Sequence, residues 1–116
     1  MKNYALYDGL SGIFRWFGPA ASVADAIRAF DQQAGGLNPP QGAQRLGVHV
    51  GTEAQIAAIK RWVAFPKNGF PKDIGEATIY DATDLYMILR GWEAVSGELK
   101  AKLQANERSS SSGGAI

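Results

Sequence analysis

The chain has no cysteine, and this absence removes several classes of function. Structural disulfides, zinc sites built on thiolates and thiol nucleophiles all require cysteine. The sequence also has no apolar run that approaches the roughly 18 residues of a membrane span. Its first residues are typical of a strand rather than of a signal peptide. We therefore expect a cytoplasmic protein that does not enter a membrane.

The charge of the chain is nearly balanced, with 12 basic and 11 acidic side chains and a formal net charge of +1. A net charge this small produces no long-range field that would attract nucleic acid or anionic lipid. Binding of that kind would have to depend on a local basic patch. The 116 residues fit one domain, and the composition, with 46% hydrophobic and 20% charged residues, is that of an ordinary globular protein.

Short stretches of alternating residues, separated by glycine-containing turns, predict strands. Between the first two lies the loop Asp-Gly-Leu-Ser-Gly, residues 8–12, which has the length of a hairpin connection. The predicted strands are residues 4–7, 13–17, 46–50 and 76–80.

Apolar residues that recur at helical spacing predict three helices. Ser22, Thr52 and Asp81 stand immediately before these patterns and are expected to cap the first turns. The third pattern is the longest and continues past Gly91 and Gly97. We expect one long helix there, with a kink or a close packing contact near Gly97. The apolar seam of the second helix is formed by Ile56, Ile59 and Val63.

Together these elements predict an α+β fold in the order ββα-βα-βα. An N-terminal β-hairpin and a small, mostly antiparallel sheet are covered by three helices. Residues 35–45 contain tandem prolines and three glycines, which predict an irregular loop. We expect residues 1–106 to form a single α+β domain and residues 107–116, rich in serine and glycine, to form a disordered tail.

Basic and aromatic residues alternate along residues 60–72, which we call the basic segment. Its members are Lys60, Arg61, Trp62, Phe65, Lys67, Phe70 and Lys72. Cations beside aromatic rings are typical of surfaces that bind single-stranded nucleic acid or an acidic protein. The same pattern also fits a proline-containing loop whose aromatic residues anchor it to the core while its lysines keep it soluble.

The hairpin is a second candidate surface. Alternation places Phe14 with Trp16 and Ile13 with Phe17, so one of these pairs faces away from the first layer of helices. On an open face, these aromatic residues and Arg15 would form a binding platform. If helices cover both faces, the same residues belong to the core.

The chain has a single histidine, His49, predicted to lie opposite Val48 and Val50 across the sheet. A general base needs a group that orients it, and a metal site needs further ligands. The sequence identifies neither of these. Asp81 and Asp84 lie in the first turn of a helix, where capping accounts for both carboxylates. We therefore expect no catalytic group, metal or cofactor.

The layout from Tyr4 to Gly35, a short hairpin followed by a helix that begins after a small hydroxyl residue, resembles the opening of HicB-type antitoxins. The resemblance lies in the order of elements and covers under a third of the chain. It implies a regulatory protein. The remaining sequence shows no ribbon-helix-helix or helix-turn-helix segment.

These features favour a non-enzymatic interaction module that binds and regulates or inhibits a protein partner. A small single-domain protein with no cysteine and no set of catalytic residues is similar in kind to phage and plasmid accessory proteins, which include inhibitors of host defence. Two alternatives stay open: an antitoxin-like regulator that binds nucleic acid through the basic segment, and a small enzyme or ligand-binding protein with a pocket around His49. The sequence does not decide between monomer and homodimer. The predicted partner-binding residues are Arg15, Trp16, Lys60, Arg61, Lys67, Phe70 and Lys72.

Overall fold

The structure is a computed structural model that describes residues 1–33 and 45–114, without the side chains of Asn68 and residues 109–114. Its centre is an antiparallel sheet in the order β2-β1-β3-β4. The strands are β1 (Lys2–Asp8), β2 (Phe14–Ala20), β3 (Leu46–Gly51) and β4 (Thr78–Tyr80). The helices are α1 (Val23–Gln33), α2 (Glu53–Ala64), α3 (Ala82–Leu89) and α4 (Gly97–Gly114). The predicted α+β class, N-terminal hairpin and antiparallel sheet are confirmed.

Capping residues fix the starts of three helices, as the sequence predicts. The Ser22 hydroxyl accepts the backbone N–H of Asp25 at the start of α1. Thr52 and Gln55 form a reciprocal capping box at the start of α2. Asp81 and Asp84 form another at the start of α3. Each of these side chains satisfies backbone amides that would otherwise lack a partner.

The prediction of one long C-terminal helix is wrong, because the described chain forms two helices, α3 and α4, in that region. The sheet therefore packs against four helices rather than three. The break is at Gly91, where φ is +74°, a conformation that side chains with a Cβ rarely adopt. The Trp92 N–H then bonds to the Met87 carbonyl at 2.7 Å. The Ser96 hydroxyl accepts the Leu99 N–H at 3.1 Å and starts α4.

The two faces of the sheet are covered by different elements. The α1 face, covered by α1, α3 and α4, carries the larger core, which includes Tyr4, Leu6 and Tyr80. The α2 face is covered by α2 and by residues 65–75 that follow it, which pack around Ala5 and Ile59. The strands β1 and β2 therefore send side chains into two separate apolar layers.

The edge strand β2 differs from its prediction. It continues through Pro19 to Ala20, where the sequence predicts an end before Gly18. Proline is compatible with this position because β2 pairs with β1 on one side only. Strand β4 is shorter than predicted and contains residues 78–80 only.

Buried polar contacts join α4 to the sheet and to α1. The Asn106 carboxamide accepts the Tyr80 hydroxyl at 2.8 Å and donates to the Val48 carbonyl at 3.3 Å. Glu107 Oε1 accepts the Val23 N–H at 2.9 Å. The backbone of α4 continues to Gly114. The predicted division into a domain of residues 1–106 and a disordered tail of residues 107–116 stays a prediction.

The loop predicted over residues 35–45 lies outside the described residues except for Arg45. Among the residues that the structure describes, no helix is both long and apolar enough to cross a bilayer.

Candidate functional site

The tip of the hairpin is held by the Asp8 side chain. Asp8 Oδ1 accepts the backbone N–H groups of Leu10 at 2.8 Å and Ser11 at 3.4 Å. The Asp8 N–H donates to the Ile13 carbonyl at 2.9 Å. The Leu10 N–H, together with the other nearby donors and Arg15, lowers the pKa of Asp8 against the smaller opposing effect of burial. The loop is therefore fixed by a charged acceptor, and it presents two apolar side chains at its tip.

A β-bulge next to this loop sends neighbouring residues to opposite faces. Leu6 lies opposite Trp16 and Tyr7 lies opposite Phe14, so Arg15 is the extra residue of the bulge. Phe14 consequently packs on the α2 face, whereas Trp16 packs on the α1 face. The predicted pairing of Phe14 with Trp16 on one face is therefore wrong.

The end of α2 lies beside the hairpin tip. The Phe65 N–H ends the helix by donating to the Arg61 carbonyl at 2.8 Å, and a 3-10 turn, Pro66–Asn68, follows. The Phe14 and Trp62 rings join the two elements with a centroid distance of 6.3 Å. Between these elements lies a pocket of about 200 Å³ lined by Gly12, Ile13, Phe14, Trp62, Val63 and Pro66.

Large apolar side chains around this pocket are exposed. Leu10 is 64% exposed, Ile13 55%, Val63 44% and Phe65 67%. We call these four residues and the pocket the hairpin–α2 surface. The sequence predicts Val63 in the buried seam of α2, but the half-buried Trp62 replaces it there. Contiguous exposed apolar groups on a folded protein often indicate a binding site.

The floor of the pocket belongs to a layer of packed aromatic rings. Phe14 is its centre, with ring centroids 5.1 Å from Tyr7 and 5.6 Å from Phe17. The Trp62 ring meets the Phe70 ring edge-on at 5.0 Å. These contacts hold Phe14 and Trp62 in place, so this part of the pocket exists before any ligand arrives.

Basic residues that form no ion pair among the described residues lie in and beside the hairpin–α2 surface. No acidic residue occurs between Glu53 and Asp73, a stretch with four basic residues. The ion pairs formed by the described residues lie elsewhere and involve Arg28 and Lys102. Within this described part, the exposed cations without an ion pair include Arg15, Lys60, Arg61, Lys67 and Lys72.

The structure thus separates the seven residues that the sequence predicts as partner-binding. The five cations are exposed, in agreement with a surface role. Phe70 is half-buried in the aromatic layer. Trp16 is only 8% exposed and belongs to the core of the α1 face, where it offers little surface to a partner. That the seven residues contact a partner stays a prediction.

None of the four exposed apolar residues is among the seven predicted partner-binding residues, although the sequence indicates Ile13 and Phe65 as members of its two candidate surfaces. Leu10 and Ile13 lie in and beside a glycine-rich turn, and Phe65 lies at a helix C-terminus next to proline. A large apolar residue in such a position, where the backbone turns at the surface, is the signal that would have indicated them.

His49 lies in the aromatic layer rather than at an open site. Its side chain contacts the Tyr7, Phe14 and Phe70 rings, with centroid distances from 5.5 to 6.0 Å. Its Nδ1 lies 3.0 Å from the Gly75 carbonyl, to which it donates because a carbonyl only accepts. Burial lowers the pKa of His49, and the bond to Gly75 opposes that effect. Its face of the sheet agrees with the prediction.

Other polar groups that resemble a catalytic site have structural partners. A second pocket, of about 480 Å³, lies between the starts of α3 and α4. Of its acids, Asp81 and Asp84 cap α3, and Asp84 also pairs with Lys102 at 2.6 Å. No group of three or more metal-ligating side chains occurs within residues 1–33 and 45–114 as far as their side chains are described.

Comparison with family models, curated proteins and solved structures gives no match. The resemblance to HicB-type antitoxins therefore remains one of element order.

Proposed function

We propose that this protein is a non-enzymatic interaction module that binds a protein partner through the hairpin–α2 surface and thereby regulates or inhibits that partner. The observation that carries the proposal is a preformed apolar pocket beside four exposed large apolar residues. Protein interfaces have an apolar centre, often aromatic, with a polar rim that excludes water. The exposed cations of the basic segment supply such a rim.

The packing of the potential catalytic groups supports binding rather than catalysis. The His49 ring is enclosed by aromatic rings and its Nδ1 is bonded to a backbone carbonyl. Asp81 and Asp84 are occupied as helix caps. Neither arrangement places an acid, a base and an open substrate position together, as acid–base catalysis requires.

The test is a pull-down from the lysate of the encoding organism, treated with nuclease, with three immobilised proteins. These are the wild type, the Val63→Glu variant and the Val95→Glu variant. Val95 is the matched control because it is also an exposed valine, at 80%, and lies between α3 and α4. We expect wild type and Val95→Glu to capture the same protein, and Val63→Glu to lose most of it. Circular dichroism would check that all three are folded.

Capture of the same protein by Val63→Glu at the wild-type level would contradict the proposed surface. The charge of the basic segment favours a second candidate function, the binding of nucleic acid. In that case capture would disappear with nuclease, and binding would weaken steeply as salt rises from 50 to 200 mM because counterions are released.

A further inference from the structure

We infer that the pocket of the hairpin–α2 surface receives one large apolar side chain from an acidic segment of a partner protein. This inference rests on the proposed function and specifies the chemistry of the partner. It follows from three features of the described residues: the size of the pocket, its lining and the charge around it.

The size of the pocket fits a side chain better than a metabolite or a cofactor. Its volume is about 200 Å³, whereas pockets for small molecules commonly measure about 300–1,000 Å³. It is also shallow and open to solvent between the hairpin tip and the end of α2. Such a pocket resembles the cavities that receive single anchor residues at protein interfaces.

The lining selects an apolar anchor. The pocket walls are the side chains of Ile13, Phe14, Trp62, Val63 and Pro66. The backbone N–H of Gly12, the sixth lining residue, already donates to the Asp8 carbonyl at 2.7 Å. The indole N–H of Trp62 is the single side-chain donor among these lining residues. A strongly polar side chain would lose more water on entry than this one donor replaces, whereas an apolar side chain loses little.

The charge around the pocket selects acidic neighbours for that anchor. Lys67 directly follows Pro66 in the chain, Arg15 directly follows Phe14, and Lys60 lies one helical turn before Val63. Asp8, the acid at the start of the hairpin loop, accepts the Leu10 and Ser11 amides and interacts electrostatically with Arg15 without forming an ion pair. Carboxylates on either side of the anchor would therefore meet cations that have no other ion pair among the described residues.

The same charges argue against a second copy of this chain as the occupant. A two-fold interface would place the surface against itself, and the cations of both copies would then face each other. The packing of the rings argues against nucleic acid. Phe14, Trp62 and Phe70 contact one another, so their ring faces are not free for bases, and Phe65 is the exposed ring of the basic segment.

The experiment measures the binding of four fluorescein-labelled peptides of 12 residues by fluorescence anisotropy. The first is a glutamate-rich peptide with a central phenylalanine. The second replaces that phenylalanine with serine, the third replaces the glutamates with lysines, and the fourth replaces them with glycine and serine. A 12-nucleotide oligo-dT is the nucleic-acid probe. We expect the first peptide to bind at least tenfold more tightly than every other probe.

Matched variants connect this binding to the pocket. Val63→Glu and Lys67→Glu are expected to weaken the first peptide at least tenfold. The controls Val95→Glu and Lys100→Glu, at exposed residues outside the basic segment, are expected to leave the affinity within twofold. In a 15N–1H NMR spectrum, the amide signals that shift on binding should centre on Gly12, Ile13 and Val63.

Equal affinity for the phenylalanine and serine peptides would overturn the inference, and so would binding that Val63→Glu does not change. Preference for oligo-dT over all peptides would replace the acidic segment with nucleic acid. If the peptides fail while the pull-down still depends on Val63, the proposed function stands and only the chemistry of the occupant is wrong. If the peptides bind as expected but the pull-down partner does not depend on Val63, the proposed function is the part that fails.

Discussion

The α1 face and the α2 face of the sheet are packed in different ways. Among the described residues, the core of the α1 face has 16 buried members, whereas that of the α2 face has three. The α1 face is covered by three helices, and its core includes buried aliphatic side chains of β1, β3, α1, α3 and α4. The α2 face is covered by one α-helix and by residues 65–75, which contain only a short 3-10 turn. Partly buried aromatic rings make up much of its packing.

Because of this difference, we expect the α1 face to supply most of the stability and the α2 face to carry the binding surface. A large core gains free energy in proportion to the apolar area it removes from water, so most of the stability should come from the α1 face. The α2 face buries less and leaves its aromatic layer open at the hairpin tip, where the candidate site lies. A binding surface formed at the edge of a smaller core stays rigid without being fully covered.

The sharpest test compares the same truncation on the two faces. Ile27 on the α1 face and Ile59 on the α2 face are both 0% exposed. Ile27→Ala should lower the free energy of unfolding by about 4 kcal/mol and Ile59→Ala by about 2 kcal/mol. The reason is that the helices on the α1 face would preserve the cavity left by the truncated Ile27 side chain. On the α2 face, residues 65–75 can move to fill the cavity left by the truncated Ile59 side chain.

Urea denaturation followed by circular dichroism would measure both losses. The m-value, which is the slope of the free energy of unfolding against urea concentration, must be the same for both variants and the wild type if the losses are to be compared. Equal losses, or a larger loss at Ile59, would mean that the α2 face is packed as firmly as the α1 face.

A close approach inside the aromatic layer gives the second prediction. Gly47 lies opposite Tyr7, and a Cβ on Gly47 would fall 2.2 Å from Tyr7 Cζ. The Tyr7 ring is held against Phe14 at 5.1 Å and His49 at 5.8 Å, so it cannot move without disturbing the layer. Gly47→Ala should cost about 1–3 kcal/mol in the free energy of unfolding.

A double-mutant cycle identifies the clash as the cause. In a Tyr7→Ala background the same Gly47→Ala change should cost less than about 0.5 kcal/mol, because the ring it meets is gone. Thermal unfolding of the four proteins would measure the coupling. An undiminished cost in that background would assign the effect to the β3 backbone instead of the ring.

Local signals in the sequence predict much of the fold on both faces of the sheet. Ser22, Thr52 and Asp81 mark helix starts because their side chains bond to amides three residues away, within one turn. Alternation correctly places His49 opposite Val48 and Val50 because strand periodicity is local as well. The order of strands is not local and could not be predicted.

The candidate site was harder to predict because it depends on a backbone irregularity and on contacts between distant parts of the chain. The bulge at Arg15 reverses the face of Phe14, and simple alternation cannot anticipate an extra residue. Outside the site, the break at Gly91 shortens the third helix, although the apolar pattern continues through it. Whether Val63 or Trp62 is buried depends on contacts with Phe14 and Phe70. Phe14 lies far before α2 in the chain, and Phe70 follows α2.

The smallest expected effect concerns the dependence of stability on pH through His49. Burial lowers the pKa of His49 below the ordinary value of 6.5, so the folded protein binds this proton less readily than the unfolded chain. The stability that this group contributes is therefore fully present above pH 6.5 and is lost as pH falls through the pKa of the folded state. For one proton the slope cannot exceed about 1.4 kcal/mol per pH unit.

His49→Gln is the matched variant because its amide can also donate to the Gly75 carbonyl while carrying no titratable proton. Subtracting its unfolding free energies from those of the wild type between pH 5 and 8 removes the contribution of carboxylates such as Asp8. The chain has one histidine, so NMR titration of its ring gives the pKa directly. A measured pKa at or above 6.5 would place this ring in contact with water or an anion, and the α2 face would then be more open than its aromatic packing indicates.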